Sequence, residues 1–280
     1  MAKHALLPRK MINFFMLGLC ALGAGAAILV VCLMLGYIMV QGLSFINLDF
    51  IISPSVGPGQ QGGGMRDEII GTLVLVGLGS LIAVPLGMLT GVFLSEFGSP
   101  RVASAVRFAA DVLAGVPSIV IGVFAYIVIV SPMKSYSAFS AGIALAIIMV
   151  PVVARTTEES MRLVPLSLRE AALALGITRW RSVIFVAIPG ALTGIVAGIM
   201  LGVARIAGET APLLFTALGS NFPFDDLMRP ISALPLQIYR YAMSPDGNWQ
   251  EQAWAGAFLL VMLVLVISLV VRWMSRKRRT

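Results

Sequence analysis

The sequence holds one histidine, His4, and two cysteines, Cys20 and Cys32. A zinc or iron–sulfur site needs several Cys or His ligands at short spacings, and a redox pair needs CxxC. Neither can be assembled here. Both cysteines sit in one apolar run and read as inert packing residues. The four lysines follow Ala2, Arg9, Met133 and Arg276, never a glycine. A GxxxxGK[ST] phosphate loop is therefore absent. No zincin or nucleophile-elbow motif occurs either, so no catalytic residue set presents itself. No tandem repeat or sustained heptad is visible.

Charge is also scarce. Only 12% of the 280 residues are charged, against about 25% in a soluble domain. Hydrophobic residues make up 59%, and mean hydropathy is +0.96. This composition excludes an ordinary water-soluble enzyme. A run of about 20 apolar residues crosses a ~30 Å hydrocarbon core. Such runs lie near 12–40, 69–94, 108–130, 138–158, 188–212 and 253–273, which predicts an all-α integral membrane protein with six spans. The first run exceeds the roughly 7–15 residues of a signal-peptide core, so it is expected as a retained span. The chain divides into a first span with an outer Gly-rich loop (1–67), a five-span body (68–274) and a basic tail (275–280).

The net charge of +7 follows the loops. With a cytoplasmic N-terminus, fifteen Lys and Arg fall on the cytoplasmic side. Only four, Arg66, Lys134, Arg229 and Arg240, fall opposite. The positive-inside bias predicts that both termini are cytoplasmic. Clustered basic residues on polar surface, the mark of a nucleic-acid binder, are missing.

Two outer loops are punctuated by Gly and Pro. SPSVGPGQQGGG, from Ser53 to Gly64, matches GxGxxG at Gly57, Gly59 and Gly62, but no strand precedes it. It reads as a flexible connection. The loop 213–252 is rich in Tyr, Phe and Pro and suits a short interfacial helix or a docking surface. On the cytoplasmic side, 159–187 reads as two short helices hinged at Gly176. Ser167 and Glu170 have capping-box spacing before LREAALAL. A surface helix resting on lipid headgroups through Trp180 is the plainer alternative to a partner-docking element.

Charges inside the apolar runs demand a reason. Arg205 and Glu209 are four apart in GVARIAGETAPLL, so on a helix they share a face. A charge at the bilayer centre costs roughly 2.5–3.5 kcal/mol, and such residues face a bundle interior or a wet path. They make either a structural ion pair or an anion station, since a guanidinium offers a fork of donors suited to oxyanions. Arg155, followed by Thr156 and Thr157, is a second candidate station. Alternatively it pairs with Glu158 and Glu159, three and four residues on. Ser118, next to Pro117, is a third, because a proline kink frees backbone donors.

Glu170-Ala171-Ala172, three residues, Gly176 and then Ile188-Pro189 resemble the EAA motif of bacterial ABC importer permeases, with Ile188 where leucine is usual. GVPSIVIG, VARTTEESMRLVP, EAALALGITRW, ARIAGETAPLLFTALG and LPLQIYRYA resemble the PstA group of phosphate permeases, from about residue 68 to the end. The first span and the Gly-rich loop match nothing distinctive. The resemblance implies a type I (MetI-like) permease fold in the bacterial inner membrane. It makes Glu170, Ala171, Ala172 and Gly176 the coupling element that docks on an ATPase subunit. It places Arg205, beside Glu209, on a phosphate path, and Arg155 with it. It implies a heterodimer with a homologous PstC permease, two PstB ATPases and a phosphate-binding protein, PstS. ATP and Mg are then handled by the ATPase, with no cofactor on this chain. A permease for sulfate or molybdate, the sister permease PstC, a membrane-embedded enzyme and a structural scaffold are the alternatives at this stage.

Overall fold

The structure is a computed structural model that describes residues 6–57, 59–60, 62–220 and 222–277, with side chains from 10 to 270. Lys3, His4 and residues 278–280 of the basic tail lie outside the described residues. The described chain is helical. Its helices are α1 (Leu6–Leu43), α2 (Leu48–Ile52), α3 (Arg66–Phe97), α4 (Pro100–Gly115), α5 (Ser118–Met133) and α6 (Ala138–Arg162). Then come α7 (Leu166–Ala174), α8 (Arg179–Ala207), α9 (Ala211–Thr216), α10 (Leu234–Ala242) and α11 (Gly247–Lys277). Helix is the expected answer for apolar runs in lipid, because each backbone donor finds its acceptor within the segment.

Among the described residues five helices, α1, α3, α6, α8 and α11, are long and apolar enough to cross a membrane. The span expected at 108–130 is not one rod. It breaks at Val116-Pro117 into α4 and α5, which meet at 100°. Proline lacks the N–H that would continue α4, and it biases Val116 towards extended backbone, which Val116 adopts at ψ 130°. The bent pair still makes one crossing. A Cβ on Gly79 would meet Leu145, one on Gly87 would meet Val153, and one on Gly91 would meet Thr157. Positions therefore rise together along α3 and α6, so these helices run parallel. The chain between them must return across the bundle, and α4 with α5 is all there is to do it. That makes six crossings.

The α3–α6 contact is the heart of the core, and buried Leu75, Ala83, Leu145, Met149 and Val153 belong to it. On its other side α6 packs on α8, which runs antiparallel to it. Gly194 lies against Ser160, Gly198 against Thr156 and Gly202 against Met149. A Cβ on Gly198 would come within 1.9 Å of Thr156 Oγ1, so only glycine allows this approach.

The fifth span begins earlier and ends earlier than the expected 188–212. The piece after Gly176 is the foot of the long rod α8, not a separate short helix. Pro189 is tolerated inside that rod because a π-helical turn, Val183–Ala187, immediately precedes it and takes up the missing hydrogen bond. Similar π turns close α3 at Phe93–Phe97 and interrupt α5 at Tyr126–Val130.

The Gly-rich loop is docked rather than free. Gly59 N–H donates to Asp246 Oδ2 (2.8 Å), Asn248 Nδ2 to the Gln60 carbonyl (3.0 Å) and Gln252 Nε2 to the Gly62 carbonyl (2.7 Å). The helix expected in 213–252 is α10, but it is packed inward. Leu234, Leu236 and Tyr241 are fully buried, and Leu234 N–H donates to Thr72 Oγ1 of α3 at 2.8 Å. The same loop caps α6: the carbonyls of Thr216, Arg229 and Leu227 accept from the N–H groups of Ser137, Ala138 and Phe139.

Candidate functional site

Arg205 lies in the last turn of α8, where the helix dipole favours a cation. The helix ends at Ala207 with Gly208 as C-cap, so Glu209 stands just beyond it rather than on the same helical face. The turn nevertheless brings the two together. Arg205 Nε is 3.9 Å from Glu209 Oε1, an ion pair at its outer limit and too long for a hydrogen bond. The Arg205 side chain is 41% exposed and that of Glu209 18%. A sealed structural lock would be short and buried. This pair is loose, and most guanidinium donors are on offer.

Ser118 is the first residue of α5, with Pro117 as N-cap, so the proline starts the helix and leaves its first N–H groups free of helical acceptors. One turn on, a Cβ on Gly122 would lie 2.7 Å from Pro212 Cα. The opening of α5 is thus held beside the segment that follows Glu209.

Arg155 does not pair with Glu158 or Glu159. Its Nη2 reaches Asp111 of α4 at 3.0 Å, on an exposed face. Glu158, 2% exposed, reaches the same helix one turn earlier, holding Arg107 of α4 at 2.7 Å, and it also holds Arg162 at 2.6 Å. Thr156 is partly buried, and its hydroxyl donates to the Val152 carbonyl (2.8 Å) while facing Gly198. It serves helix packing and is not brought to Arg205. Gly198 is level with Thr156, and Arg205 is seven residues further along α8. The Arg155 and Arg205 levels are therefore about 10 Å apart along that axis.

At the opposite end from α10, α7 displays Glu170 and Ala171 to the exterior and turns Ala172 inward. The capping box is not formed. Pro165 takes the N-cap position, Ser167 falls inside the helix, and no side chain caps it. The other end is as expected. Gly176 has φ +79°, Ile177 N–H donates to the Ala172 carbonyl (3.2 Å) and Gly176 N–H to the Leu173 carbonyl (3.0 Å). That pair of bonds is a Schellman turn, which needs glycine at this φ. Trp180, just after the turn, is exposed, with Arg181 over its ring at 5.5 Å.

Sequence reasoning missed Glu96, Arg107, Asp111 and Arg169. Their partners lie on other helices, beyond the reach of spacing rules. One signal was available: Glu96 in LSEF is the acidic residue that closes an otherwise apolar run.

The chain matches the family "Binding-protein-dependent transport system inner membrane component" over residues 83–280. It is 41% identical to the phosphate transport system permease protein PstA of Pasteurella multocida, over 94% of both chains. It is 39% identical to PstA 1 of Mycobacterium tuberculosis, over 79% of this chain and 75% of that one. Among solved structures it is similar to the inward-facing MetNI methionine ABC transporter, with TM-score 0.62 and 22% identity over 75% of this chain and 94% of that one. It is also similar to a bacterial ABC transporter that imports the acidic polysaccharide alginate, with TM-score 0.67 and 17% identity over 97% and 98%. The likeness to these two structures shows the overall helical fold. The chain belongs to the family of binding-protein-dependent transport system inner membrane components, and within it to the PstA group of phosphate transport system permeases.

Proposed function

We propose that this chain is the permease subunit of an ATP-driven phosphate importer and forms half of the transmembrane path for inorganic phosphate. The observation that carries the substrate is the 41% identity to a phosphate permease along nearly the whole of both chains. Arg205 supplies the chemistry. It is exposed at the end of α8 and loosely held by Glu209, and its planar guanidinium offers a fork of donors suited to oxyanions.

In the proposed assembly the α7 end faces the cytoplasm, as the arginine bias requires, and both termini lie there. A PstC-type permease completes the cavity, a PstB-type ATPase pair receives Glu170, Ala171 and Ala172 of α7, and a PstS-type protein delivers phosphate from outside. ATP and Mg stay on the ATPase. Nucleotide-driven closure brings the coupling helices together and opens the cavity outward. Arg205 replaces part of the water that phosphate gives up on entry. Glu209, 3.9 Å away, competes for the guanidinium and keeps the anion from binding too tightly to leave. Ser118 and the first N–H groups of α5 supply neutral donors nearby. Arg155 forms a second station about 10 Å further in, shared with Asp111.

The test is phosphate uptake by the reconstituted complex with Arg205→Ala and Arg205→Lys. Loss in the alanine variant with partial retention in the lysine variant is expected. Full uptake by Arg205→Ala would sink the path assignment. Inhibition of uptake by sulfate or molybdate as strong as by unlabelled phosphate would reassign the substrate.

A further inference from the structure

We propose that Glu96 is the fastening point between the coupling loop and the spans, a positioning residue through which movement of α7 reaches α3 and α8. This rests on the coupling role assigned above to Glu170, Ala171, Ala172 and Gly176.

Arg169 and Glu170 are neighbours on α7, about 100° apart around its axis. Glu170 is exposed, whereas Arg169 is turned inward at 15% exposure. Arg169 Nη1 lies 2.5 Å from Glu96 Oε1, and Glu96 is 8% exposed. The second arginine, Arg179, comes from the other side of the Gly176 turn. It donates to the Glu96 backbone carbonyl and lies over the Phe97 ring at 5.3 Å. Arg169 also donates to the Met161 carbonyl at the end of α6. One glutamate at the foot of α3 thus holds both helices that flank the glycine turn, and one of its arginines holds α6 as well.

The surroundings explain why a fastening is needed. A cleft of about 470 Å³ separates these elements, lined by Ser95, Glu96, Arg169, Glu170, Arg179 and Val183 among others. Two of the three π turns border it, Phe93–Phe97 and Val183–Ala187. Widened turns of this kind recur at functional sites, and here each rod has one at the cleft wall. Apolar packing alone would let α7 slide across the cleft. A poorly hydrated ion pair resists this, because parting it strands two charges away from water.

The test uses the full complex in liposomes and reads phosphate moved per ATP hydrolysed. Glu96→Gln is expected to assemble and hydrolyse ATP while this ratio falls about tenfold, the scale of a typical inter-site coupling. Glu96→Asp restores most of it. Arg169→Gln falls at least as far, since it also gives up the Met161 carbonyl, and the double variant falls no further than Arg169→Gln, because both lose the Glu96–Arg169 contact. An unchanged ratio in Glu96→Gln, or additive losses in the double variant, would overturn the proposal. If Glu96→Gln does not assemble, Arg169→Lys, which keeps the charge but not the planar fork, must show the fall instead. Spin labels at Leu173→Cys and Leu89→Cys, with Cys20 and Cys32 replaced by alanine, separate this idea from the substrate assignment. Their distance is expected to stay fixed through the ATP cycle in the parent chain and to vary in Glu96→Gln, whether or not phosphate proves to be the cargo. A distance that varies in the parent, or stays fixed in both, rejects the joint.

Discussion

Arg107 Nε of α4 sits 2.7 Å from Glu158 Oε1 of α6, and Arg162 reaches the same oxygen from one turn away at 2.6 Å. The two cations are not equivalent. Arg162 is well exposed, and its loss leaves Glu158 with Arg107. Arg107 is the less hydrated partner and also donates to the Leu94 carbonyl. Arg107→Ala is expected to destabilise the protein by about 2–3 kcal/mol, below the ~3–5 kcal/mol of a fully broken buried pair because Arg162 still reaches Glu158. Arg162→Ala is expected to cost less than ~1 kcal/mol. Thermal unfolding in detergent checks both; equal losses would reject the ranking.

Gly176→Ala tests the Schellman turn. A Cβ there meets nothing within 4 Å, so any penalty is purely one of backbone conformation at φ +79°. A cost of roughly 1–2 kcal/mol is expected, with Gly176→Asn milder because asparagine visits this region more readily. Co-purification of the ATPase should fall in the same order.

Thr156→Val separates a packing residue from a path residue. Its hydroxyl already serves the Val152 carbonyl, so phosphate uptake should stay within about twofold of the parent chain. Arg155→Ala should lower uptake far more. A valine variant as defective as the arginine variant would move Thr156 onto the path.

Gly198→Val probes the seam between α6 and α8. Even the Cβ would lie 2.3 Å from Thr156 Cβ, so the helices must part. Overpacking of this kind costs about 1–3 kcal/mol, read as a lower unfolding temperature and a lower yield of assembled complex.

Asp246 gives the outer loop a pH dependence. The Gly59 N–H, helped by those of Asn248 and Trp249, holds its carboxyl below the usual aspartate range. A depressed folded-state pKa means the tether is fully present above the ordinary aspartate pKa and is lost as pH falls through the lowered value. Protection of the Gly59 N–H, taken relative to its intrinsic exchange rate at each pH, should fall over that acidic window. Asp246→Asn should show protection with no step over the same window.

Much of this architecture was legible because lipid imposes a coarse code. Apolar length alone located α1, α3, α6, α8 and α11, and Gly176 announced its turn through the EAALALG spacing. The break at Pro117 was legible as a kink but not as a 100° corner, because its angle is set by the return path that parallel α3 and α6 demand. The π turns left little mark beyond Pro132 and Pro189, each two residues past the end of one. At the site, Arg205 was visible as a charge where charges are expensive. Its looseness was not, because that depends on α8 stopping at Ala207. For Arg155 the local rule pointed to Glu158 and Glu159 as partners, whereas the pairing found is with Asp111 on another helix.

The corner between α4 and α5 also changes the electrical landscape of the membrane. At 1.5 Å per residue α5 is only about 24 Å long. The hydrocarbon is ~30 Å thick, so the rest of this crossing falls to α4, which meets α5 at a sharp angle just before Ser118. A corner inside the crossing leaves the first N–H groups of α5 as fixed partial positive charges within the span rather than at its end.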